Sequence, residues 1–142
     1  EFAYAEALTD RYAPCSFDLV HMSNALDHSF MPLAGIMSML EVVKVGGSVH
    51  LRHAENEAEN QSYRDFHQWN ISESNGRLDI WRQDYHLDLS EIESFADIST
   101  RRIKGNIDTI IAILTKKNDV PAQPKIFKNQ FDAELLKKLA TR

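Results

Sequence analysis

Two apolar runs, Phe17-Asp18-Leu19-Val20-His21-Met22 and Ser48-Val49-His50-Leu51-Arg52, flank a helix-length segment, and Gly46-Gly47 stands directly before the second run. That order leaves few folds open. The first run is short, apolar and partly β-branched, as a buried parallel strand is. Between the runs Leu33, Ile36, Met37, Leu40 and Val43 recur at helical spacing from Pro32, a residue suited to a first turn. Gly46-Gly47 is expected to end this helix and admit the second strand. Strand, crossover helix and parallel strand make a right-handed βαβ unit, so the chain is read as α/β. Open α/β sheets bind ligands at the carboxyl ends of their strands, and Ser23, Asn24, Asp27 and His28 fall at that edge.

The remainder follows from turn signals. Ala54 to Ser62 is polar and reads as a loop or exposed helical turn. Tyr63 to Asn70 concentrates aromatic and hydrogen-bonding groups. Asn75-Gly76 predicts a tight turn, with Arg77 to Arg82 as a hairpin arm. Leu89 to Phe95 has the spacing of a short helix with Ser90 as a cap candidate. Ile98 to Ile103 and Ile107 to Thr115 then read as two strands joined through Lys104-Gly105-Asn106. Because Thr109 to Leu114 is almost wholly apolar, the last strand is expected to be central. Asn118 to Lys125, with Pro121 and Pro124, reads as a linker, and Phe131, Leu135, Leu136 and Leu139 mark a final helix.

Composition narrows the function classes. The 142 residues, 43% of them hydrophobic, suffice for one globular core. A net charge of -5 is expected to disfavour nucleic acid as a partner, since phosphate binding needs a basic surface. The single Cys15 excludes an internal disulfide and fits a reducing compartment, with the cytoplasm as expectation. No apolar run reaches the roughly 18 residues that span a bilayer, so no membrane partner is expected.

Ser16-Phe17-Asp18-Leu19-Val20, Asn24-Ala25-Leu26-Asp27-His28, and Leu40-Glu41-Val42-Val43-Lys44-Val45-Gly46-Gly47-Ser48-Val49-His50-Leu51 together resemble the fourth and fifth strands of class I S-adenosylmethionine-dependent methyltransferases. The short helix and terminal hairpin resemble what closes that sheet, where an antiparallel last strand slots between the fifth and sixth. The resemblance covers roughly Tyr4 to Lys117. It implies the C-terminal part of a Rossmann-like methyltransferase fold, with a mixed sheet, a terminal antiparallel hairpin and flanking helices. Residues 1–117 would be this portion of the domain, and residues 118–142 a linker and C-terminal helix. It also implies S-adenosylmethionine as cofactor, and methyl transfer to oxygen or nitrogen of a small polar substrate.

Site residues follow from the same match. Tyr4-Ala5-Glu6-Ala7-Leu8 resembles a family segment that lies against the adenine, although Tyr4 replaces the usual aspartate. Ala5, Glu6, Ser23 and Asn24 are therefore the expected cofactor contacts. The family's glycine-rich loop and ribose-binding acid have no counterpart here. Asp27 and His28 are the candidate catalytic pair, because a carboxylate can orient an imidazole that titrates near neutrality. His67, Trp69 and Asn70 are the candidate substrate contacts, suited to a sugar-like acceptor. No metal is expected: His50 and His53, three residues apart on a strand, point to opposite faces, and no further ligand completes a set with His21. The competing class is a non-catalytic half-domain that binds or self-assembles, since an open Phe17–Met22 edge would favour homo-oligomers. A metal-dependent hydrolase using the six histidines is a third reading.

Overall fold

The computed structural model describes residues 4–122, so the expected helix from Phe131 and the end of the linker lie outside the described residues. A 3₁₀ segment at Ala5–Asp10 precedes β1 (Phe17–Ser23), a 3₁₀ turn at Leu26–His28, α1 (Pro32–Val42) and β2 (Val43–Ala54). Then come α2 (Glu57–Asn60), β3 (Asn70–Ser74), β4 (Arg77–Arg82), β5 (Tyr85–His86), α3 (Ser90–Phe95), β6 (Ala96–Ile103) and β7 (Thr109–Lys116). Four strands form a sheet in the order β1-β2-β7-β6, and β3-β4-β5 form a second, smaller sheet. β1 and β2 are parallel, while β7 runs antiparallel to both β2 and β6. The last strand thus lies between the second and the sixth, as the apolar Thr109–Leu114 run predicts.

α1 ends at Val42, not at the glycines: Val43 is already extended and opens β2. The two β-branched valines favour the strand, and Gly46-Gly47 instead form an irregularity within it. Pairing with β1 jumps from Phe17↔Val43 to Leu19↔Ser48. Gly46 sits at φ +85°, and a Cβ on Gly47 would lie 2.5 Å from the Asp18 carbonyl oxygen. Each glycine answers a separate demand, one conformational and one of close approach. Asn75 (φ 52°) and Gly76 (φ 76°) form the two-residue turn of the β3–β4 hairpin.

The core lies on one face of the large sheet. Val49, Leu51, Ala112 and Leu114 from the sheet join Ile36, Met39 and Leu40 of α1, Ile71 and Ile80 of the small sheet, and Ile92 of α3. α1 is buried almost throughout, polar Ser38 and Glu41 included; Ser38 Oγ accepts from Leu8 N at 3.1 Å. On the opposite face Leu19 is 50% exposed and His50, Ile111 and Ile113 are only half-buried. One expectation changes: β1 is a largely exposed edge strand, because among the described residues only β2 pairs with it.

Candidate functional site at the carboxyl end of the parallel pair

Asn24 leaves β1 in a left-handed conformation (φ 47°), its N–H donating to the Arg52 carbonyl at 2.9 Å and its Oδ1 accepting from Ala54 N at 3.0 Å. The ends of β1 and β2 are thereby locked together. The chain next folds into the 3₁₀ turn, which buries Leu26 completely, turns Asp27 inward and leaves His28 exposed. Adjacent residues seldom face each other, yet this turn sets His28 Nε2 3.2 Å from Asp27 Oδ2.

The segment after α2 coils through left-handed Ser62, Tyr63 and Asp65 and docks on this turn. Gln68 N and Trp69 N both donate to the Asp27 carbonyl, at 2.9 and 3.1 Å, and Trp69 Nε1 donates to the Ser29 carbonyl at 2.9 Å. These three bonds bring His67 against Asp27 across 40 residues of sequence: His67 Nδ1 lies 2.7 Å from Asp27 Oδ2 and 3.3 Å from His28 Nε2. The Asp27 side chain is 4% exposed, and its Oδ1 is buried with no hydrogen-bond partner among the described residues. In the tautomer that donates Nδ1–H to the carboxylate, the His67 imidazole keeps Nε2 as an acceptor.

His53 lies on the core side of β2, 1% exposed, with neither ring nitrogen paired among the described residues. Burial lowers its pKa to about 4; Asp27 opposes the shift, while His21 and His28 add to it. The Val49, Leu51, His53 alternation in the sequence would have placed this residue inward. Nothing in sequence spacing would have paired His67 with Asp27.

The other expected site residues fall as follows. Ser23 and Asn24 are exposed at the carboxyl end of β1. Glu6 is buried, and its Oε1 accepts from Ser29 Oγ and, at 3.4 Å, from Met31 N. Ala5 is half-buried against α1, where a Cβ on Gly35 would sit 3.4 Å from its own. Trp69 is 7% exposed within the core and carries the Arg82 guanidinium over its ring at 5.4 Å. Asn70 is fully buried; its Oδ1 accepts from Glu59 N at 2.8 Å and its Nδ2 donates to Tyr63 Oη at 2.9 Å. Trp69 and Asn70 thus hold the loop that presents His67. His50 pairs with Ser48 Oγ at 2.9 Å and stands apart from the cluster.

A parallel strand pair joined through a helix, with an antiparallel last strand inserted before the sixth, gives this chain a Rossmann-like mixed sheet in the strand order that the resemblance to class I methyltransferases leads one to expect. No protein-family model and no curated protein matches the sequence. Solved structures with a similar fold include a SAM-dependent methyltransferase of Methanosarcina mazei, at 14% identity and a TM-score of 0.48 over 83% of this chain and 67% of that one. The T. Thermophilus 16S rRNA N2 G1207 methyltransferase, solved with AdoMet and guanosine, is similar at 15% identity and a TM-score of 0.47. There the match covers 80% of this chain and 24% of the other. A complex of the Haloferax volcanii Trm112 methyltransferase activator with a putative methyltransferase follows at 13% identity and a TM-score of 0.45, covering 82% and 60%.

These findings correct the expected partners. Similar structures include one named for ribosomal RNA and one solved with a protein activator, so the exclusion of nucleic acid and the small, sugar-like acceptor are both withdrawn. The physical reason is that net charge is a whole-chain sum, whereas an RNA contact depends on where the cations lie. No helix among the described residues is long and apolar enough to cross a membrane.

Proposed function

We propose that this chain is the acceptor-side portion of an S-adenosylmethionine-dependent methyltransferase, acting on an acceptor oxygen or nitrogen. The observation that carries the reading is the Asp27, His28 and His67 cluster standing at the carboxyl end of β1 in a sheet of this strand order. The cofactor, when bound, supplies an electrophilic methyl group on a sulfonium sulfur. Ser23 and Asn24, exposed at the same strand end, fit one wall of its site. Glu6 does not fit, because its carboxylate is engaged by Ser29 and Met31; with Ala5 it braces the segment leading into α1.

At the acceptor, Asp27 holds His67 and His28 in place, and the cluster takes up the proton that leaves as the methyl arrives. Their part is orientation and proton uptake, which is what methyl transfer asks of a protein beyond alignment. Residues 1–117 are on this reading the C-terminal portion of the domain, and the free thiol of Cys15 suits the cytoplasm.

The test is a calorimetric titration of the 142-residue protein with S-adenosylhomocysteine, followed by labelled methyl transfer to pooled cellular RNA, protein and metabolite fractions. A micromolar constant, about -8 kcal/mol, is expected, with His67→Gln losing roughly 100-fold in transfer while the heat is kept. Absence of heat overturns the reading in favour of a non-catalytic module.

A further inference from the structure

We propose that Asp27, His28 and His67 form a binding site for one divalent transition-metal ion of the zinc, cobalt or manganese kind. Their ligand atoms all lie within 4.8 Å of one another. More telling is the triangle they form: Asp27 Oδ2 to His67 Nδ1 is 2.7 Å, Asp27 Oδ2 to His28 Nε2 is 3.2 Å, and His28 Nε2 to His67 Nδ1 is 3.3 Å.

Hydrogen bonds alone serve this triangle poorly. Two neutral imidazoles that both donate to Oδ2 bring their N–H groups against each other, whereas one donating to the other leaves only one for the carboxylate. Three lone pairs converging on an ion have no such conflict. Around a four-coordinate ion with bonds of about 2.0–2.1 Å, neighbouring ligand atoms are about 3.3–3.4 Å apart, close to two of the three edges found here. The third edge opens by well under 1 Å.

A second observation points the same way. The Asp27 side chain is only 4% exposed, so the carboxylate that turns Oδ2 toward both imidazoles is held almost out of water, a costly state for a negative charge that a cation at Oδ2 offsets. The supporting shell is also in place: the Gln68 and Trp69 amides and the Trp69 indole tie the His67 segment to Asp27 and Ser29 through backbone groups, independently of any ligand. His28 and His67 keep 42% and 24% of their side chains exposed, so the remaining coordination positions open outward. Open positions are the mark of a site that handles substrate, and an imidazole and carboxylate set selects this group of metals over calcium or magnesium.

What the ion does rests on the methyltransferase reading, although its binding does not. Charge at the acceptor's edge lowers the acceptor's pKa and fixes its orientation, so the ion takes over the task assigned above to the imidazoles.

The experiment is titration of the chelator-stripped 142-residue protein with cobalt(II), read by its d–d absorption, with zinc(II) in competition. One equivalent at micromolar affinity is expected, weakened at least tenfold in Asp27→Asn, His28→Asn and His67→Asn and unchanged in His86→Gln, whose own Asp79 pair lies elsewhere. Should a variant fail to fold, paramagnetic broadening confined to the His28 and His67 ring signals of the unaltered protein serves as the second readout. No binding at millimolar cobalt, or equal binding in all variants, overturns the site. The S-adenosylhomocysteine titration separates the two proposals, since cobalt binding without that heat keeps the metal site and removes the methyltransferase reading.

Discussion

Acidification should destabilise this protein through His53, and His53→Leu should abolish that contribution. His53 is 1% exposed, and its pKa is lowered to about 4, chiefly by burial. The folded-state value lies below the unfolded value near 6.5, so folding expels a proton wherever the unfolded chain holds one. Stability is therefore fully present above about pH 6.5 and declines as pH falls toward 4. For a shift from 6.5 to about 4 the penalty is roughly 2 kcal/mol at pH 5 and about 3 kcal/mol below pH 4. Urea unfolding at pH 7.5, 6 and 5, in chelator and followed by tryptophan fluorescence, measures it. The stability difference between His53→Leu and the unaltered protein should move by about 2 kcal/mol in the variant's favour between pH 7.5 and 5. Since neither ring nitrogen is paired among the described residues, the variant should also be no less stable at pH 7.5. Parallel pH profiles for the two proteins would refute the reasoning. A further check is Asp27→Asn: Asp27 supports the charged imidazole, so its loss should steepen the acid sensitivity.

Gly47→Ala should cost about 1–3 kcal/mol by overpacking, because the new methyl meets the Asp18 carbonyl, Val43 Cγ1 and the Lys44 carbonyl. Gly46→Ala meets no atom within 4 Å and should lose only about 1–2 kcal/mol for its left-handed backbone; thermal unfolding compares the two. Asn70→Leu leaves the Glu59 amide without its buried acceptor and should destabilise by about 1–3 kcal/mol, measured by urea unfolding. Arg102→Gln removes the paired bonds to Glu55, at 2.6 and 2.7 Å, and the 2.8 Å bond to the Glu73 carbonyl. Faster amide exchange in β3, with β2 and β7 unaffected, is the expected result.

The parts of this fold visible in the sequence are those governed by neighbours along the chain. Period and turn chemistry suffice for β1, α1, the Asn75-Gly76 hairpin and a central β7, since each depends on burial alternation or on a φ that few residues adopt. They fail at Gly46-Gly47, which looks like a helix stop, because the close approach to Asp18 that demands Gly47 is made by another strand. The site shows the same division more sharply. Asp27 and His28 can be singled out from their place after β1, but their usefulness depends on His67, which reaches them through two amides and an indole that bond to backbone carbonyls. Carbonyl acceptors carry no side-chain signature, so no residue pattern announces the contact. These bonds, with those of Asn70 to the Glu59 amide and Tyr63 Oη, explain why Trp69 and Asn70, plausible substrate groups in the sequence, are buried: a loop that must hold one histidine within a few tenths of an ångström needs buried anchors next to it.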